Sequence, residues 1–145
     1  HGEPVEGWDL QDWVKQVGVT PRAGDAVLIR SGAQPFWDAN PDFQMERLLN
    51  TPGVGVSCLE FLHDTNAGLM GWDLQEAGGQ PDYGEGIPVH AIAIPYMGLP
   101  LLDNASFEDL AAVCAETGRY EFMLVIAPLV VLGGTGSPVN PIATF

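Results

Sequence analysis

The chain has 145 residues, with 5 Lys and Arg against 19 Asp and Glu, giving a formal net charge of −14. At this length one domain with a real apolar core is expected, and 46% hydrophobic with 17% charged residues is a globular composition rather than a disordered one. The acidic balance excludes nucleic acid, whose phosphates need Lys and Arg to displace counterions, and it excludes an anionic membrane surface.

Cys58 and Cys114 are too few for a disulfide scaffold, although one bridge stays open, and a reduced, cytoplasmic chain is expected. The longest apolar stretch, Phe122 to Leu132, is broken by Pro128 and is too short to span a bilayer as a helix. No signal-peptide pattern opens the chain. It begins at His1 with no Met, which points to a processed or cut chain.

In chain order, the first element reads as a helix capped by Asp9 with Asp12 in the capping-box position. Leu10, Trp13, Val14 and Val17 share a face, and Gly18 ends the helix. After the turn cluster Thr20–Asp25, Ala26–Arg30 reads as a strand without polar alternation, hence buried on both faces. Ser31–Pro41 reads as a loop whose Phe36 and Trp37 either line a pocket or cap the core. Asp42–Leu49 reads as a short helix, and Thr51–Gly55 as a turn. Val56–His63 reads as a helix capped by Ser57, with Leu59 and Leu62 buried. Ala67–Trp72 reads as a strand ending at Asp73.

The Gly78–Gly86 stretch has little core-forming content and reads as a flexible loop. Ile87–Gly98 has helical spacing, and Pro95 should kink or end that helix. Leu99–Leu102 is short and extended, closed by Asp103-Asn104. Ser106 caps a further helix whose buried side holds Phe107, Leu110, Ala111 and Val113. Tyr120–Ala127 reads as a strong strand with Leu129–Leu132 as its partner, and Gly133–Pro138 as a tight loop. Alternating helices and strands predict an α/β domain.

Most familiar chemical signatures are absent. There is no H-E-x-x-H, no zinc-type Cys spacing, no EF-hand loop and no G-x-S-x-G elbow. Gly134-Thr135-Gly136 is not a dinucleotide fingerprint, because Pro138 and Pro141 block the helix that would hold the pyrophosphate. An N-terminal histidine such as His1 can chelate copper through its amine and ring. That chemistry belongs to β-sandwiches with a second opposing histidine, whereas this chain alternates helix and strand. His63-Asp64 reads as an exposed pair at a helix end.

Three residues remain. His90 lies on the apolar run Val89-His90-Ala91-Ile92; it is either a satisfied core histidine or a neutral metal ligand. Asp103 ends a predicted strand, where α/β proteins place functional groups. Asp73 follows a strand beside Trp72; it is either a substrate-side carboxylate or a turn former. Together His90 and Asp103 supply at most two of the three or four ligands a metal site needs.

A set of ordered segments carries a family resemblance: Pro21-Arg22-Ala23-Gly24-Asp25 through Ser31-Gly32, Gly68-Leu69-Met70-Gly71-Trp72-Asp73, Ile87-Pro88-Val89-His90 and Leu101-Leu102-Asp103-Asn104. It continues through Tyr120-Glu121-Phe122, Ala127-Pro128-Leu129 and Gly133-Gly134-Thr135-Gly136-Ser137-Pro138-Val139-Asn140-Pro141. The chain resembles the C-terminal half of the cyclase family of metal-dependent hydrolases, which includes kynurenine formamidases and isatin hydrolases. The resemblance implies an α/β fold of the swivelling β/β/α type, of which residues 1–145 would be the C-terminal portion.

The resemblance also implies hydrolysis of an amide, formamide or lactam bond at zinc or manganese, with the metal as Lewis acid and source of a hydroxide nucleophile. His90 matches the family's late histidine ligand. Asp103 stands where kynurenine formamidases carry a glutamate, and the shorter acid puts a second metal position in doubt. Trp72 and Asp73 would border a small amide or lactam substrate, with Phe36 and Trp37 as further substrate-side residues. The family's histidine-rich motif, H-x-G-T-H-x-D-x-P, has no counterpart in the sequence. The resemblance therefore implies that an N-terminal half, on another chain or a cut segment, completes the site, and that the chain associates with a partner or oligomerises. The rival expectation is a non-catalytic binding or assembly module that keeps the fold without a working metal site. In either case neither nucleic acid nor membrane is a partner.

Overall fold

In a computed structural model, the described residues are 3–42, 52–78, 80–83 and 86–145. His1 and the helix expected over Asp42–Leu49, beyond Asp42 itself, lie outside them. The architecture is mixed α/β, as the alternating pattern predicts. The elements are α1 (Gly7–Val17), β1 (Ala26–Ile29), α2 (Ala33–Ala39), α3 (Ser57–Asp64), β2 (Leu69–Trp72), α4 (Pro88–Ile92), β3 (Leu101–Leu102), α5 (Glu108–Thr117), β4 (Met123–Val125) and β5 (Ile142–Thr144).

β1, β2 and β3 form a parallel sheet in that order, with Ile29 opposite Trp72 and Gly71 opposite Leu102. The parallel strands need crossovers, which α2 and α3 supply between β1 and β2 and α4 between β2 and β3. All three strands therefore end on one edge. That edge collects Ser31 after β1, Asp73 after β2 and Asp103 after β3. Gly71 in the middle strand leaves room for Leu28 and Leu102 on its flanks, since a Cβ there would sit 2.8 Å from Leu28 Cδ2.

The core lies between this sheet and α1, α3 and α4. Trp72, Leu62, Met70, Val54, Val89 and Cys58 are its most deeply buried side chains. Cys58 and Cys114 are both free thiols and both buried. α1 meets α3 at backbone distance through Gly7, where a Cβ would overlap the Ser57 carbonyl oxygen. Ser57 Oγ seals this junction by accepting the Gly7 N–H at 2.8 Å and donating to the Glu6 carboxylate. Gly7→Ala is therefore expected to cost about 1–3 kcal/mol through overpacking against immovable backbone. Urea denaturation measures it, and an unchanged midpoint would contradict the close crossing.

Several expectations need correcting. α1 starts earlier than predicted: Asp9 is not the cap but the third helical residue, accepting the Glu6 N–H at 2.9 Å. Trp13 and Trp8 on α1 are exposed, so its buried stripe is narrower than predicted. Ser57 opens α3 instead of capping it, because its hydroxyl is committed to α1. β1 is half-buried except at Ile29, as an edge strand of the three. The predicted loop around Phe36 and Trp37 contains α2. Pro35 is tolerated there because it lies in the first turn, where its missing N–H has no helical partner anyway.

Pro95 does end α4, and the chain widens into a π-helical turn, Ala93–Met97, closed by Gly98 at φ 64°. In α5 the buried face runs from Phe107 to Cys114, two turns apart, leaving Val113 off the stripe and exposed. The partner of β4 is β5, antiparallel, and not Leu129–Leu132. Pro128 alone cannot reverse the chain between Tyr120–Ala127 and Leu129–Leu132; the tightest hairpins need two turn residues. Leu129–Leu132 instead runs as an irregular, exposed segment, with the Leu129 N–H donating to Ser137 Oγ at 3.0 Å. Among the described residues, no helix is long and apolar enough to cross a membrane.

Candidate functional site

Strand alternation does not stop at the end of β2. Trp72, Leu74 and Glu76 are buried in turn, while Asp73 between them is half-buried and Gln75 is exposed. The alternation delivers an acidic side chain, Glu76, into the interior at 5% exposure. Its backbone is pinned there by a parallel bridge to Val54 and by the Ala77 N–H donating to the Val54 carbonyl at 3.0 Å. Gly53 permits this approach, because a Cβ there would overlap the Gln75 carbonyl oxygen.

Pro88 opens α4, and its fixed φ suits the first turn. The second and third residues of that turn, Val89 and His90, donate their backbone N–H groups to Glu76 at 2.6 and 3.2 Å. The His90 ring then lies between two acids. Nδ1 meets Glu76 Oε1 at 2.5 Å, and Nε2 meets Asp103 Oδ2 at 2.9 Å. Asp103 is placed by β3 and by the left-handed residue Asn104, φ 51°, whose N–H donates to the Leu74 carbonyl at 2.9 Å. Trp72 packs its ring edge-to-face on His90, centroids 6.0 Å apart.

Asp103 and Glu76 together hold the His90 imidazole protonated well above its ordinary range, to about 10, against the opposing effect of burial. A group whose folded pKa is raised adds stability that is fully present below its unfolded value near 6.5 and is lost as pH rises through about 10. The stability difference between the native chain and a His90→Gln variant is therefore expected to be larger at pH 6 than at pH 10. Urea unfolding of both proteins at the two pH values checks it, and an equal difference would contradict the charged bridge.

One atom of the cluster has no partner. Asp103 Oδ1 is buried and bonds to nothing among the described residues, as does Trp72 Nε1. A buried carboxylate oxygen left bare is costly unless a donor or a cation meets it. Asp103 and His90 Nε2 lie side by side, a nitrogen–oxygen donor pair of the kind zinc and manganese accept. Glu76 sits on the opposite ring nitrogen. The three side chains thus do not converge on one point, and among the described residues no group of three or more His, Cys, Asp or Glu could hold a metal ion. A small cleft of about 110 Å³ opens beside His90, lined also by Gln75, Glu76, Ala77, Gly78, Gly86 and Ile87.

The remaining residues singled out in the sequence occupy an adjoining region. Asp73 accepts four hydrogen bonds, from Ser31 N–H at 2.9 Å, Ser31 Oγ at 2.7 Å, Gly32 N–H at 2.8 Å and Ala33 N–H at 3.1 Å. It ties the end of β2 to the start of α2. Phe36 and Trp37 ride on α2 as an edge-to-face pair with centroids 5.3 Å apart, and Trp37 also packs against the core. His63 is exposed, 3.4 Å from Asp64 Oδ1. The structure therefore brings His90, Asp103 and Trp72 together, adds Glu76, and joins Asp73 to the α2 segment.

No curated protein matches the chain. A solved crystal structure described as a novel cyclase matches with a TM-score of 0.83 at 25% identity, covering 100% of this chain and 48% of that one. The chain thus spans about half the length of that structure. A family model described as "Putative cyclase" matches residues 1–77. With more than half its length under that match and its whole length under the structural one, the chain belongs to the cyclase family.

Proposed function

We propose that the chain forms part of a metal-dependent hydrolase acting on an amide, formamide or lactam C–N bond, with His90 and Asp103 as two ligands to zinc or manganese. The observation that carries this reading is the bare, buried Asp103 Oδ1 beside His90 Nε2. When bound, such an ion polarises a carbonyl and lowers the pKa of a water molecule. His90 would offer Nε2, and Asp103 its carboxylate. Trp72 forms an apolar wall against the imidazole. Asp73 orders the Ser31–Ala33 backbone, and through it α2 with Phe36 and Trp37, on the substrate side.

Two ligands do not complete a site, so the reading includes an N-terminal half, supplied by another chain or a removed segment. A surface suited to such a partner is present. Residues 123–145 contain no Asp, Glu, Lys or Arg in a chain of net charge −14. Within that stretch Leu129, Val130, Val131 and Leu132 are all exposed. The test is hydrolysis of an aryl formamide and a cyclic amide by the native protein, with and without added Zn²⁺ or Mn²⁺. Activity that a chelator removes and either ion restores supports the proposal; turnover untouched by exhaustive chelation overturns it.

A second reading has its own support. Both nitrogens of His90 are already bonded within the chain, to Glu76 and Asp103. A non-catalytic binding or assembly module would keep such a closed cluster as a structural element. Metal content decides between the two. Less than about 0.1 equivalent of Zn or Mn in the gently purified native protein favours the module, because catalytic sites retain their ion.

A further inference from the structure

We infer that the β4–β5 ribbon is the docking edge for the partner half: a strand of that half adds to the ribbon through backbone hydrogen bonds and covers its apolar face. The inference rests on the reading of a partner half and adds to it the place and the mode of attachment. Among the described residues, none after Cys114 is buried; the core is drawn from the chain up to that point. Apolar side chains are not lacking beyond it. Along Phe122–Ile126 the burial follows the strand period: Phe122, Leu124 and Ile126 are half-buried, and Met123 and Val125 between them are exposed. Ile142 stands opposite Val125 on β5. Met123, Val125 and Ile142 thus form one bare apolar face, 61%, 44% and 57% exposed.

A two-stranded ribbon is marginal in water until further strands or a packed layer complete it. Within its sheet β4 pairs only with β5, so each strand leaves one row of backbone N–H and C=O groups open, a template for an extended segment. The Arg22–Glu121 ion pair ties the ribbon to the body, but its side chains are 79% and 63% exposed, so it contributes little. Three observations select the occupant. Residues 123–145 carry no charged side chain, so a basic partner would be drawn to the acidic remainder of the chain instead. A second copy would bring another net −14 against the first. The related cyclase structure is covered over 48% of its length by the whole of this chain, so it holds about as much polypeptide again. A segment corresponding to that uncovered part is the occupant that meets all three.

The test is hydrogen exchange read by mass spectrometry, on the full chain alone and on the natively purified assembly, with peptide sequencing of every polypeptide in that assembly. In the chain alone the β4 and β5 amides are expected to exchange freely. In the assembly, beside a polypeptide similar to the uncovered part of the related cyclase, the same amides should be protected by about 100-fold or more. The double variant Val125→Asp with Ile142→Asp places two carboxylates on the exposed face. It should keep the circular dichroism of the chain and bind the partner half more than about 100-fold more weakly, because those charges would be buried without partners. Should the variant fail to fold, the exchange comparison carries the test. A partner half that leaves β4 and β5 unprotected, or one that the folded variant binds at native strength, overturns the docking edge and leaves the partner reading standing. Protection of the ribbon by a dimer of this chain makes a second copy the occupant and overturns the inference. An assembly without any such polypeptide overturns the partner reading, and the docking edge falls with it.

Discussion

Glu76→Ala is expected to destabilise the chain by about 3–5 kcal/mol, the cost of breaking a buried, hydrogen-bonded pair by removing one partner. The substitution strands three donors at once: the Val89 and His90 backbone N–H groups and the His90 Nδ1–H. It also leaves a cavity beneath the α4 turn. The loss is large against a total stability of about 5–15 kcal/mol for a domain of ordinary size. Chemical denaturation monitored by circular dichroism measures it. A loss below about 1 kcal/mol would mean that the three bonds are replaced by water and that Glu76 is not truly interior.

His90→Ala is expected to cost stability at neutral pH and to have a large effect on chemistry as well. Without the ring, Glu76 keeps both backbone donors. Glu76 and Asp103 nevertheless lose the cation that lies between them, so the stability loss should be of the same order as that of Glu76→Ala. Metal binding and hydrolysis by the native assembly should fall by more than about 100-fold, beyond what loss of a merely supporting residue costs. Assay and metal analysis of the same preparation check both halves. Retained metal together with retained turnover would remove His90 from the ligand set.

The contrast between these two residues shows what the sequence made readable. His90 on an apolar run and Asp103 at a strand end stand out by residue type against their neighbours, and the fold sets them 2.9 Å apart. Glu76 does not stand out, one acid among 19 Asp and Glu at the entry to a stretch read as loop. Its signal is the continued alternation Trp72, Leu74, Glu76, which places it on the buried face of an extended segment. That signal is easily missed because β2 itself ends at Trp72.

Asp73 shows the limit of a local reading. Its four bonds reach back about 40 residues to Ser31–Ala33, as the separations of 40 to 42 positions record, and a pairing of that range has no trace in local sequence. The parallel sheet was legible in outline, because strands and helices alternate. The partner of β4 was not, since Ile142–Thr144 is too short to stand out and the more apolar Leu129–Leu132 competes for the role.

The claim on which the rest depends is that His90 and Asp103 meet at a metal ion. Anomalous diffraction from crystals of the native protein grown with Zn²⁺ tests it most directly. The expected result is a peak about 2.0–2.2 Å from both His90 Nε2 and an Asp103 oxygen, with Glu76 still on Nδ1. Crystals that hold no such peak, and in which His90 Nε2 remains bonded to Asp103 in saturating zinc, would contradict it.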